Sequence, residues 1–557
     1  MSDELQNAAR NWLRVDPDPT TRAELEALIT GPTNELESRF TGRLAFGTAG
    51  LRGELGAGPL RMNRVLVRSA AAGVVDALKA AGSLEGPIVI GCDARTNSDV
   101  FAHDSARVIA ARGAEVVLLP PQLPTPVLAY AVRYLNASAG IMVTASHNPP
   151  RDNGYKVYWG DGAQIVEPID ALIASHIDEA GLLTETDLVA LDDASISQAG
   201  DEVLSSYLSR VVEESVQGSE PVRPDLKVVY SAMHGVGGQT LARLWALAGL
   251  RPFVPVEAQF EPDPLFPTVP FPNPEEPGAM DLALTLARET EAALVIANDP
   301  DADRLAIAIP PIDNEGWRVL TGNEIGWLLS DYLLTHSQGA ERLVTTTIVS
   351  STMLTRIAAQ HSVHSARTLT GFKWIVRPAL QDPDKNFIFG YEEAIGYACG
   401  DLVRDKDGVS GALIFAQMVG DLTSRGLTVH DALDELAQAH GVHITDLVAL
   451  RFDGDNAQTK LNDLMHRLRS DPPKGLANGT LTSWTDHAEG GELPATNAIT
   501  FTTETMRGVV RPSGTEPKLK IYLESVQPSS NGLEQARFAA EDQMRLAISE
   551  MLALFET

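Results

Sequence analysis

Short apolar runs that alternate with segments of helical spacing restrict the fold of this chain more than any other feature. The runs GPIVIGCD (86–93), EVVLLP (115–120) and AGIMVTAS (139–146) predict buried strands, and residues 98–114 have the spacing of a helix. This alternation predicts α/β units with largely parallel sheets. Ligands bind beyond the carboxyl ends of such strands, so the polar residues that follow them are candidates for function.

The same alternation starts again further along the chain, where a segment near 239–249 predicts a helix. Strands are predicted in DLKVVYSAMHG (225–235), EAALVIANDPDADR (291–304), ERLVTTTIVSS (341–351) and NFIFGYEEAIG (386–396). The last portion of the chain is typical of an α+β domain instead. A length of 557 residues suggests roughly three to four domains of ordinary size.

The charge balance excludes several classes of partner. Lysine and arginine number 44 and aspartate and glutamate number 74, which gives a net charge of −30. Such a chain lacks the basic surface that binds nucleic acid or an anionic membrane. It can bind an anionic small molecule only where arginine, lysine or a metal ion reverses the local charge.

The sequence also indicates the cellular setting. The two cysteines, Cys92 and Cys399, form neither a disulfide framework nor a zinc motif. The N-terminal residues have no apolar core of a signal peptide, and no run of eighteen apolar residues predicts a membrane span. We therefore expect a soluble cytoplasmic protein.

The segment VTASHNPPRDNGYKVYWG (143–160) contains more reactive groups than a structural loop requires. Ser146 lies beside His147, and Lys156 follows ten residues later. A serine hydrolase is excluded because the G-x-S-x-G motif is absent and adjacent residues cannot easily adopt the geometry of a catalytic triad.

The segment ANDPDADR predicts a metal site. Asp299, Asp301 and Asp303 alternate, and alternate side chains of extended or loop backbone share a face. Oxygen ligands in this number suit Mg²⁺, Mn²⁺ or Ca²⁺, although an EF-hand is excluded by Arg304 and Pro310 at positions that require Gly and Glu. The alternative is a solvated acidic turn.

The segment VVRPSGTEPKLKIYLES (509–525) predicts a phosphate site. An arginine fork, two hydroxyls and a glycine that lets the backbone approach can together bind a phosphate group, and they are Arg511, Ser513, Gly514 and Thr515. The alternative is a β-turn before a strand with its lysines in solvent.

Other glycine-bearing loops carry charged residues. Glu392 and Glu393 follow a strand, and carboxylates on such loops commonly accept hydrogen bonds from sugar hydroxyls. Lys406 lies between two aspartates and could act as a base or contact phosphate, whereas the alternative is a solvated charge cluster.

MHGVGG (233–238) is a tight turn or a phosphate loop, and the proline-rich segment 261–278 is a surface loop or part of a cleft rim.

Taken together, these motifs carry a family resemblance. TASHNP, DPDADR, GYEEAIG and RPSGTEP, in this order, resemble the four signature loops of the α-D-phosphohexomutase superfamily. FGTAGLRG, DNGYKVYWGDGAQI, LTGFKWI and RDKDG resemble its phosphoglucomutase/phosphopentomutase branch. The resemblance extends from about residue 40 to the end of the chain.

The resemblance implies an α/β protein of four domains around a central cleft. Three α/β domains with mixed sheets and a C-terminal α+β domain are expected, at residues 1–215, 216–318, 319–440 and 441–557.

The resemblance also implies roles for individual residues. Ser146 would be the phosphoserine, and one of its phosphate oxygens would join the three aspartates around Mg²⁺. Arg52, His147 and Lys156 match family positions beside the phosphoserine. Lys156 or Lys406 would carry the proton, because a desolvated lysine near cations loses its proton more easily. His147 could instead be a turn histidine that packs locally.

The implied substrate is a sugar phosphate. The implied reaction interconverts glucose 1-phosphate and glucose 6-phosphate, with glucose 1,6-bisphosphate as intermediate and activator. Substrate-binding residues would be Gly371, Lys373, Glu392, Glu393, Arg511, Ser513, Gly514 and Thr515. Alternatives are a phosphopentomutase, a phosphomannomutase, a glucose 1,6-bisphosphate synthase or a non-catalytic sugar-phosphate binding protein, as a monomer or a homodimer.

One residue departs from the family pattern. Many relatives have Glu-Glu-Ser in the sugar loop, whereas this chain has Ala394 after the two glutamates. The missing hydroxyl removes a hydrogen bond worth roughly 1 kcal/mol, which would shift the sugar preference more readily than abolish activity.

Overall fold

A computed structural model describes residues 2–215, 225–312, 316–452, 456–513 and 518–556. The chain divides into two compact units. The first unit comprises Met1–Leu320 and Ala394–Gly420, and the second comprises Thr321–Glu393 and Asp421–Thr557.

Most strands are short, and many are fully buried. They are β1 Leu51–Glu54, β2 Ile88–Cys92, β3 Val116–Leu118, β4 Ala139–Val143, β5 Asp152–Trp159, β6 Ile196–Gln198, β7 Val228–Ser231, β8 Val254–Pro255, β9 Leu294–Ala297, β10 Ala306–Ile309, β11 Arg318–Val319, β12 Arg342–Thr347, β13 His364–Thr368, β14 Asn386–Glu392, β15 Gly396–Cys399, β16 Val442–Arg451, β17 Gly475–Leu476, β18 Gly479–Thr480, β19 Ser483–Asp486, β20 Ile499–Thr502, β21 Met506–Pro512 and β22 Lys518–Gln527.

Helices connect and cover these strands. They are α1 Ser2–Val15, α2 Pro19–Thr30, α3 Thr33–Phe40, α4 Arg64–Ala80, α5 Ser98–Ala111, α6 Thr125–Tyr134, α7 Ile169–Ala180, α8 Glu202–Glu214, α9 Gly237–Leu247, α10 Glu257–Phe260, α11 Asp281–Thr290, α12 Gly322–His336, α13 Met353–Gln360, α14 Phe372–Ile375, α15 Arg377–Gln381, α16 Gly408–Ser424, α17 Val429–His440, α18 Ala457–Ser470 and α19 Leu533–Glu556. Short 3-10 helices lie at Glu185–Asp187, His487–Glu489 and Ser529–Asn531.

The first unit contains two mixed sheets. One has the strand order β1-β5-β4-β2-β3-β6, in which β2, β3, β4 and β6 are parallel and β5 is antiparallel to both β4 and β1. The other has the order β11-β10-β9-β7-β8, with β7, β8 and β9 parallel. Parallel strands need crossover connections, and α5 and α9 supply two of them.

The second unit combines a parallel and an antiparallel arrangement. β12 pairs in parallel with β13 on one side and with β14 on the other. The strands β16-β22-β21-β20-β19 form an antiparallel sheet, whose core includes Phe501 and Leu519 and residues of α19. This is the α+β character expected for the last portion of the chain.

Local sequence signals explain several helix starts. Asn63 caps α4, where its side-chain oxygen accepts a hydrogen bond from the Leu66 amide at 3.0 Å. Thr321 and Thr428 begin α12 and α17 with capping boxes completed by an acid three residues later.

The predicted alternation is confirmed, and two details refine it. β4 ends at Val143, so Ser146 lies in the loop beyond the strand rather than at its last position. Residues 261–278 contain no helix or strand, as their proline content predicts. No helix in the described ranges is long and apolar enough to cross a membrane, and Cys92 and Cys399 are free thiols.

The antiparallel sheet of the second unit should depend on Phe501. Its ring is fully buried and stacks on Trp484 with 5.8 Å between centroids. Phe501→Ala should destabilise this unit by about 3–5 kcal/mol, because it removes buried area and leaves a cavity. Calorimetric unfolding tests this, with Phe538→Ala as control because that side chain is 68% exposed. Equal melting temperatures for the two variants would contradict the packing described here.

Candidate active site

Ser146 lies in a strained loop between two paired strands. We call residues 144–151 the Ser146 loop; it connects β4 to the antiparallel β5. Ser146 has a φ of 51°, and its amide donates to Thr144 Oγ1 at 2.8 Å. A non-glycine residue in this region costs of order 1–3 kcal/mol, so the surrounding contacts must compensate. The turn directs a small nucleophilic side chain toward the neighbouring loop.

The hydroxyl of Ser146 contacts an acid and a base. Its Oγ donates to Asp299 Oδ2 at 2.8 Å and lies 3.2 Å from His147 Nδ1. Burial and the guanidinium groups of Arg304 and Arg52 hold the pKa of His147 well below its usual value. His147 is therefore neutral near pH 7, and its Nδ1 contacts the Ser146 hydroxyl rather than only packing within the turn.

The three aspartates follow β9 and are fully buried. We call residues 298–304 the aspartate loop. Ligand atoms of Asp299, Asp301 and Asp303 all lie within 4.8 Å of one another. A turn produces this convergence, since the Ala302 amide donates to Asp299 O at 2.9 Å and Ala302 has a φ of 55°. The backbone is therefore a loop, one of the two possibilities that the spacing allowed, and its turn brings the three side chains closer together than extended residues would.

Donors from elsewhere in the first unit approach the aspartates on one side. Thr125 Oγ1 donates to Asp301 Oδ2 at 2.6 Å. Lys156 Nζ lies 2.7 Å from Asp301 Oδ2 and 2.8 Å from Asp303 Oδ2, and Lys406 Nζ lies 3.1 Å from Asp303 Oδ2. The buried position excludes a solvated acidic turn, which was the alternative interpretation of this motif.

The other carboxylate oxygens identify what could bind there. Within the described ranges, the buried Oδ1 atoms of Asp301 and Asp303 have no hydrogen-bond partner. A buried carboxylate oxygen without a donor is costly, and a hard divalent cation satisfies several at once. Together with Ser146 Oγ, the site offers an all-oxygen donor set, so these residues fit Mg²⁺.

The charges of this cluster are strongly coupled. Burial, and then the charges of Asp301 and Asp303, raise the pKa of Asp299 well above its usual value. Burial opposes ionisation of Asp303 too, but Lys156 and Lys406 hold its pKa low. Burial also acts to lower the pKa of Lys156, yet Asp301 and Asp303 outweigh it and raise that pKa. The nearest neighbours of Lys156 are therefore anions, whereas the family resemblance suggested cations around the lysine that carries the proton.

Lys406 has an aspartate on each side in the sequence, and both aspartates accept hydrogen bonds from other segments. Asp405 Oδ2 accepts hydrogen bonds from Tyr158 Oη at 2.5 Å and Gln164 Nε2 at 2.9 Å. Asp407 accepts from Tyr207 Oη at 2.8 Å and caps the first turn of α16. The motif RDKDG is recognisable in the sequence, but its partners Tyr158 and Gln164 are not.

Arg52 belongs to the same site. It lies on β1, which pairs with β5, and its guanidinium donates to Asn148 Oδ1 of the Ser146 loop at 3.1 Å. All five residues that the sequence predicted as catalytic therefore lie in the first unit, together with the three aspartates.

The turn MHGVGG packs against the aspartate loop. The Val236 amide donates to Pro300 O at 2.8 Å. A Cβ added at Gly235 would lie 2.3 Å from Pro300 Cα, so only glycine fits this approach. These contacts favour the tight turn over a phosphate loop.

The second unit contains the predicted sugar loop. Glu393 Oε2 accepts from Ser350 Oγ at 3.0 Å, and the Glu393 amide donates to the same hydroxyl at 3.2 Å. Glu392 is the last residue of β14 and is partly exposed. Ser350 was missed by sequence analysis, although its position just after the parallel neighbour β12 could have revealed it.

The predicted phosphate-binding residues are also in the second unit. Arg511 Nη1 donates to Thr370 Oγ1 at 2.5 Å, next to Gly371, whose φ of 103° allows the turn into α14. Lys373 lies on that helix. The Ser513 amide donates to Lys518 O at 2.8 Å. Gly514 and Thr515 lie outside the described residues.

The order of domains along the chain defines the class of protein. Models of the phosphoglucomutase/phosphomannomutase family match residues 43–183 (alpha/beta/alpha domain I), 205–311 (domain II), 321–440 (domain III) and 481–541 (C-terminal domain). These four domains are the architecture of a phosphohexomutase.

Individual relatives agree with the domain models. A Haemophilus influenzae protein named probable phosphomannomutase is 44% identical over 83% of this chain and 93% of its own length. A mouse phosphopentomutase is 36% identical (95% and 92% covered), and a Staphylococcus haemolyticus phosphoglucomutase is 35% identical (92% and 95%). This chain belongs to the phosphoglucomutase/phosphomannomutase family.

A solved structure supports the fold. A Burkholderia thailandensis family member superimposes with a TM-score of 0.68 at 20% identity, covering 91% of this chain and 98% of that protein. Since the relatives are mutases, the chain is an enzyme, an intramolecular phosphotransferase. The alternative of a non-catalytic binding protein is thereby removed.

The aspartate loop should bind a divalent cation. Asp301→Asn removes a negative charge and replaces one carboxylate oxygen with an amide nitrogen, so Mg²⁺ should bind at least about tenfold more weakly. Calorimetric titration of the purified protein with MgCl₂ measures this directly, without substrate. Asp192→Asn, at an exposed aspartate, is the control for the change in net charge. Equal Mg²⁺ affinity in the two variants would exclude the aspartate loop as the metal site.

Proposed function

We propose that the enzyme interconverts α-D-glucose 1-phosphate and glucose 6-phosphate through a phosphoserine at Ser146 and a glucose 1,6-bisphosphate intermediate. One observation carries the proposal. Ser146 Oγ lies 2.8 Å from Asp299 Oδ2, at the edge of a buried three-carboxylate cluster that fits Mg²⁺. A nucleophilic oxygen beside such a cluster suits phosphoryl transfer, in which catalysis is mostly positioning and electrostatics.

The first transfer moves a phosphoryl group from Ser146 to the sugar. The bond between phosphorus and Ser146 Oγ breaks, and a bond to the free sugar hydroxyl forms. The sugar proton passes to a base of the enzyme, and a proton is delivered to Ser146 Oγ as it leaves. The products are a sugar bisphosphate and a free Ser146 hydroxyl. Mg²⁺ bound by Asp299, Asp301 and Asp303 would neutralise charge on the transferring group.

The second transfer returns the other phosphate. The bisphosphate binds in the opposite pose, and Ser146 Oγ attacks the phosphate that was not transferred before. The bond between that phosphorus and the sugar oxygen breaks, and the sugar oxygen takes a proton from the enzyme. His147 lies 3.2 Å from Ser146 Oγ and, being neutral, can take the serine proton at this step. The enzyme then again carries phosphate on Ser146, and the sugar monophosphate is isomerised.

We assign the proton transfer at the sugar hydroxyl to Lys406. Lys156 makes two short ion pairs, at 2.7 and 2.8 Å, with buried carboxylates. The contacts of Lys406 with Asp303 and Asp405 are longer, at 3.1 and 3.4 Å. Lys156 is therefore suited to hold the aspartate loop in place, whereas Lys406 can leave its carboxylate contacts more easily.

The second unit would supply most of the residues that bind the substrate. Glu392 and Glu393 would accept hydrogen bonds from the sugar hydroxyls, with Gly371 and Lys373 beside them. Arg511 and Ser513, with Gly514 and Thr515, would bind the phosphate that is not reacting. Because the substrate binds in two poses, the phosphate site has to be fixed and the sugar site has to be tolerant.

Glucose is the proposed sugar, and pentose and mannose phosphates are its competitors. The motifs LTGFKWI and RDKDG resemble a branch that contains phosphoglucomutases and phosphopentomutases. Ala394 has no hydroxyl to offer in the sugar loop, which weakens one contact to the substrate without blocking glucose, pentose or mannose phosphates. A synthase of glucose 1,6-bisphosphate would use an outside phosphoryl donor and would accumulate the bisphosphate.

Ser146→Ala should reduce mutase turnover by at least about 10⁴-fold, because the group that carries the phosphoryl is lost. Peptide mass spectrometry of the enzyme without substitutions should find phosphate on Ser146. Ser175→Ala, at an exposed helical serine, should keep both turnover and phosphate. Substantial activity in Ser146→Ala would disprove the phosphoserine mechanism.

The preferred substrate can be identified by measuring kcat/KM for the 1-phosphates of glucose, mannose, ribose and deoxyribose. Each assay contains Mg²⁺ and a trace of glucose 1,6-bisphosphate. The proposal requires the highest kcat/KM for glucose 1-phosphate. A higher value for a pentose or mannose phosphate would replace glucose, and net formation of bisphosphate from an added donor would identify a synthase.

Arg511→Ala should act on binding more than on chemistry. Loss of one charged contact to phosphate should raise KM about tenfold or more, with a smaller fall in kcat. Arg545→Ala is the control, because that arginine is 68% exposed and pairs only with Asp542 among described residues. An unchanged KM in Arg511→Ala would remove this residue from the phosphate site.

A further inference from the structure

Arg95 is a buried cation directly behind the Ser146 loop. It follows β2, which pairs in parallel with β4, so the segments after both strands meet at the same edge of the sheet. Only 3% of Arg95 is exposed. The sequence motif CDAR at a strand end could have identified it, but its partners lie more than fifty positions away.

The guanidinium of Arg95 donates to four backbone carbonyls around the Ser146 loop. Nη2 lies 2.6 Å from Ser146 O and 2.5 Å from Asn148 O. Nη1 lies 2.9 Å from Pro149 O and 3.2 Å from Asp152 O. A planar fork with fixed donor directions can bind four carbonyls that converge in this way, whereas an ammonium has only three donors on one atom.

Arg95 is itself held by two groups. Its guanidinium lies 4.8 Å from the centre of the Phe266 ring, and Asp93 Oδ2 lies 3.6 Å from Arg95 Nε. Phe266 is 3% exposed and belongs to the proline-rich segment 261–278. Thr268, two residues on, contacts His234 Nε2 at 2.8 Å, which fixes the segment to the turn MHGVGG. A desolvated cation is attracted electrostatically to the face of an aromatic ring.

The same segment also contacts the aspartate loop. Glu275 Oε2 lies 3.2 Å from Arg304 Nη1. The Arg304 amide in turn donates to Asp299 Oδ1 at 3.0 Å. The proline-rich segment therefore contacts Arg95, which lies behind the Ser146 loop, and Arg304, which belongs to the aspartate loop.

We propose that Arg95 is a positioning residue that sets the Ser146 loop for phosphoryl transfer, and that Phe266 keeps its guanidinium in place. The inference rests on the proposed role of Ser146. Arg95 contacts the backbone of the loop rather than the reacting atoms. It offsets the strain of Ser146 and returns the loop to one geometry after each of two transfers. A displacement of about 1 Å at a reacting atom can cost about a hundredfold in rate.

Arg95→Lys tests this proposal against a matched control. Arg68→Lys changes another fully buried arginine of the same unit, which pairs with Asp104 at 3.1 Å, away from the Ser146 loop. Arg95→Lys should lower kcat about thirtyfold or more with KM within about twofold, because geometry rather than binding is lost. Arg68→Lys should keep kcat within about twofold at a similar loss of thermal stability.

A second pair of variants applies if Arg95→Lys does not fold. Phe266→Leu keeps apolar volume but removes the ring, and should lower kcat about fivefold. Its control, Leu265→Ala, changes a neighbouring side chain that is 71% exposed and should leave kcat unchanged.

The outcomes separate the two proposals. The inference is overturned if Arg95→Lys folds and its kcat falls no further than that of Arg68→Lys, or if Phe266→Leu matches Leu265→Ala where Arg95→Lys does not fold. Peptide mass spectrometry of the enzyme without substitutions must find phosphate on Ser146, whether or not the inference about Arg95 holds. Absence of this phosphate together with full activity of Ser146→Ala would instead overturn the proposed function.

Discussion

Three carboxylates lie buried within 4.8 Å of one another, and the loops around them have to hold their charges together. Like charges at this distance repel strongly in a medium that excludes water. Lys156 and Thr125 satisfy one side of the cluster, and the Oδ1 atoms of Asp301 and Asp303 are left for a cation. A site of this kind costs folding free energy, so its retention is best explained by the chemistry it serves.

The surrounding backbone is built to hold that cluster against Ser146. Both Ser146 and Ala302 adopt left-handed conformations, which brings two loops from different sheets together. Arg95 offsets the first strain through the carbonyls of the Ser146 loop, and the turn at Gly235 packs on the second loop at Pro300. Precise placement is what phosphoryl transfer requires, because little covalent chemistry is left to the protein.

Much of the site was predictable because its reactive residues lie in short motifs at strand ends. Ser146, the three aspartates and Arg52 lie together in the first unit, as the family resemblance implied. Partners such as Gln164, Tyr158 and Ser350 were not predictable. They are hydrogen-bonded to residues distant in sequence, and a tyrosine or serine in a strand or loop gives no local sign of its partner.

The fold class, the family and a three-aspartate motif that fits a divalent cation follow from the amino-acid sequence, since these depend on periodicity and on residue types at fixed spacing. The neighbours of Lys156 and the packing of the proline-rich segment follow from the tertiary structure alone. Spacing did not reveal that Lys156 faces two carboxylates rather than cations, or that Phe266 covers Arg95. Both depend on distances between segments far apart in the chain, and a pKa or a cation–π contact depends on distance above all.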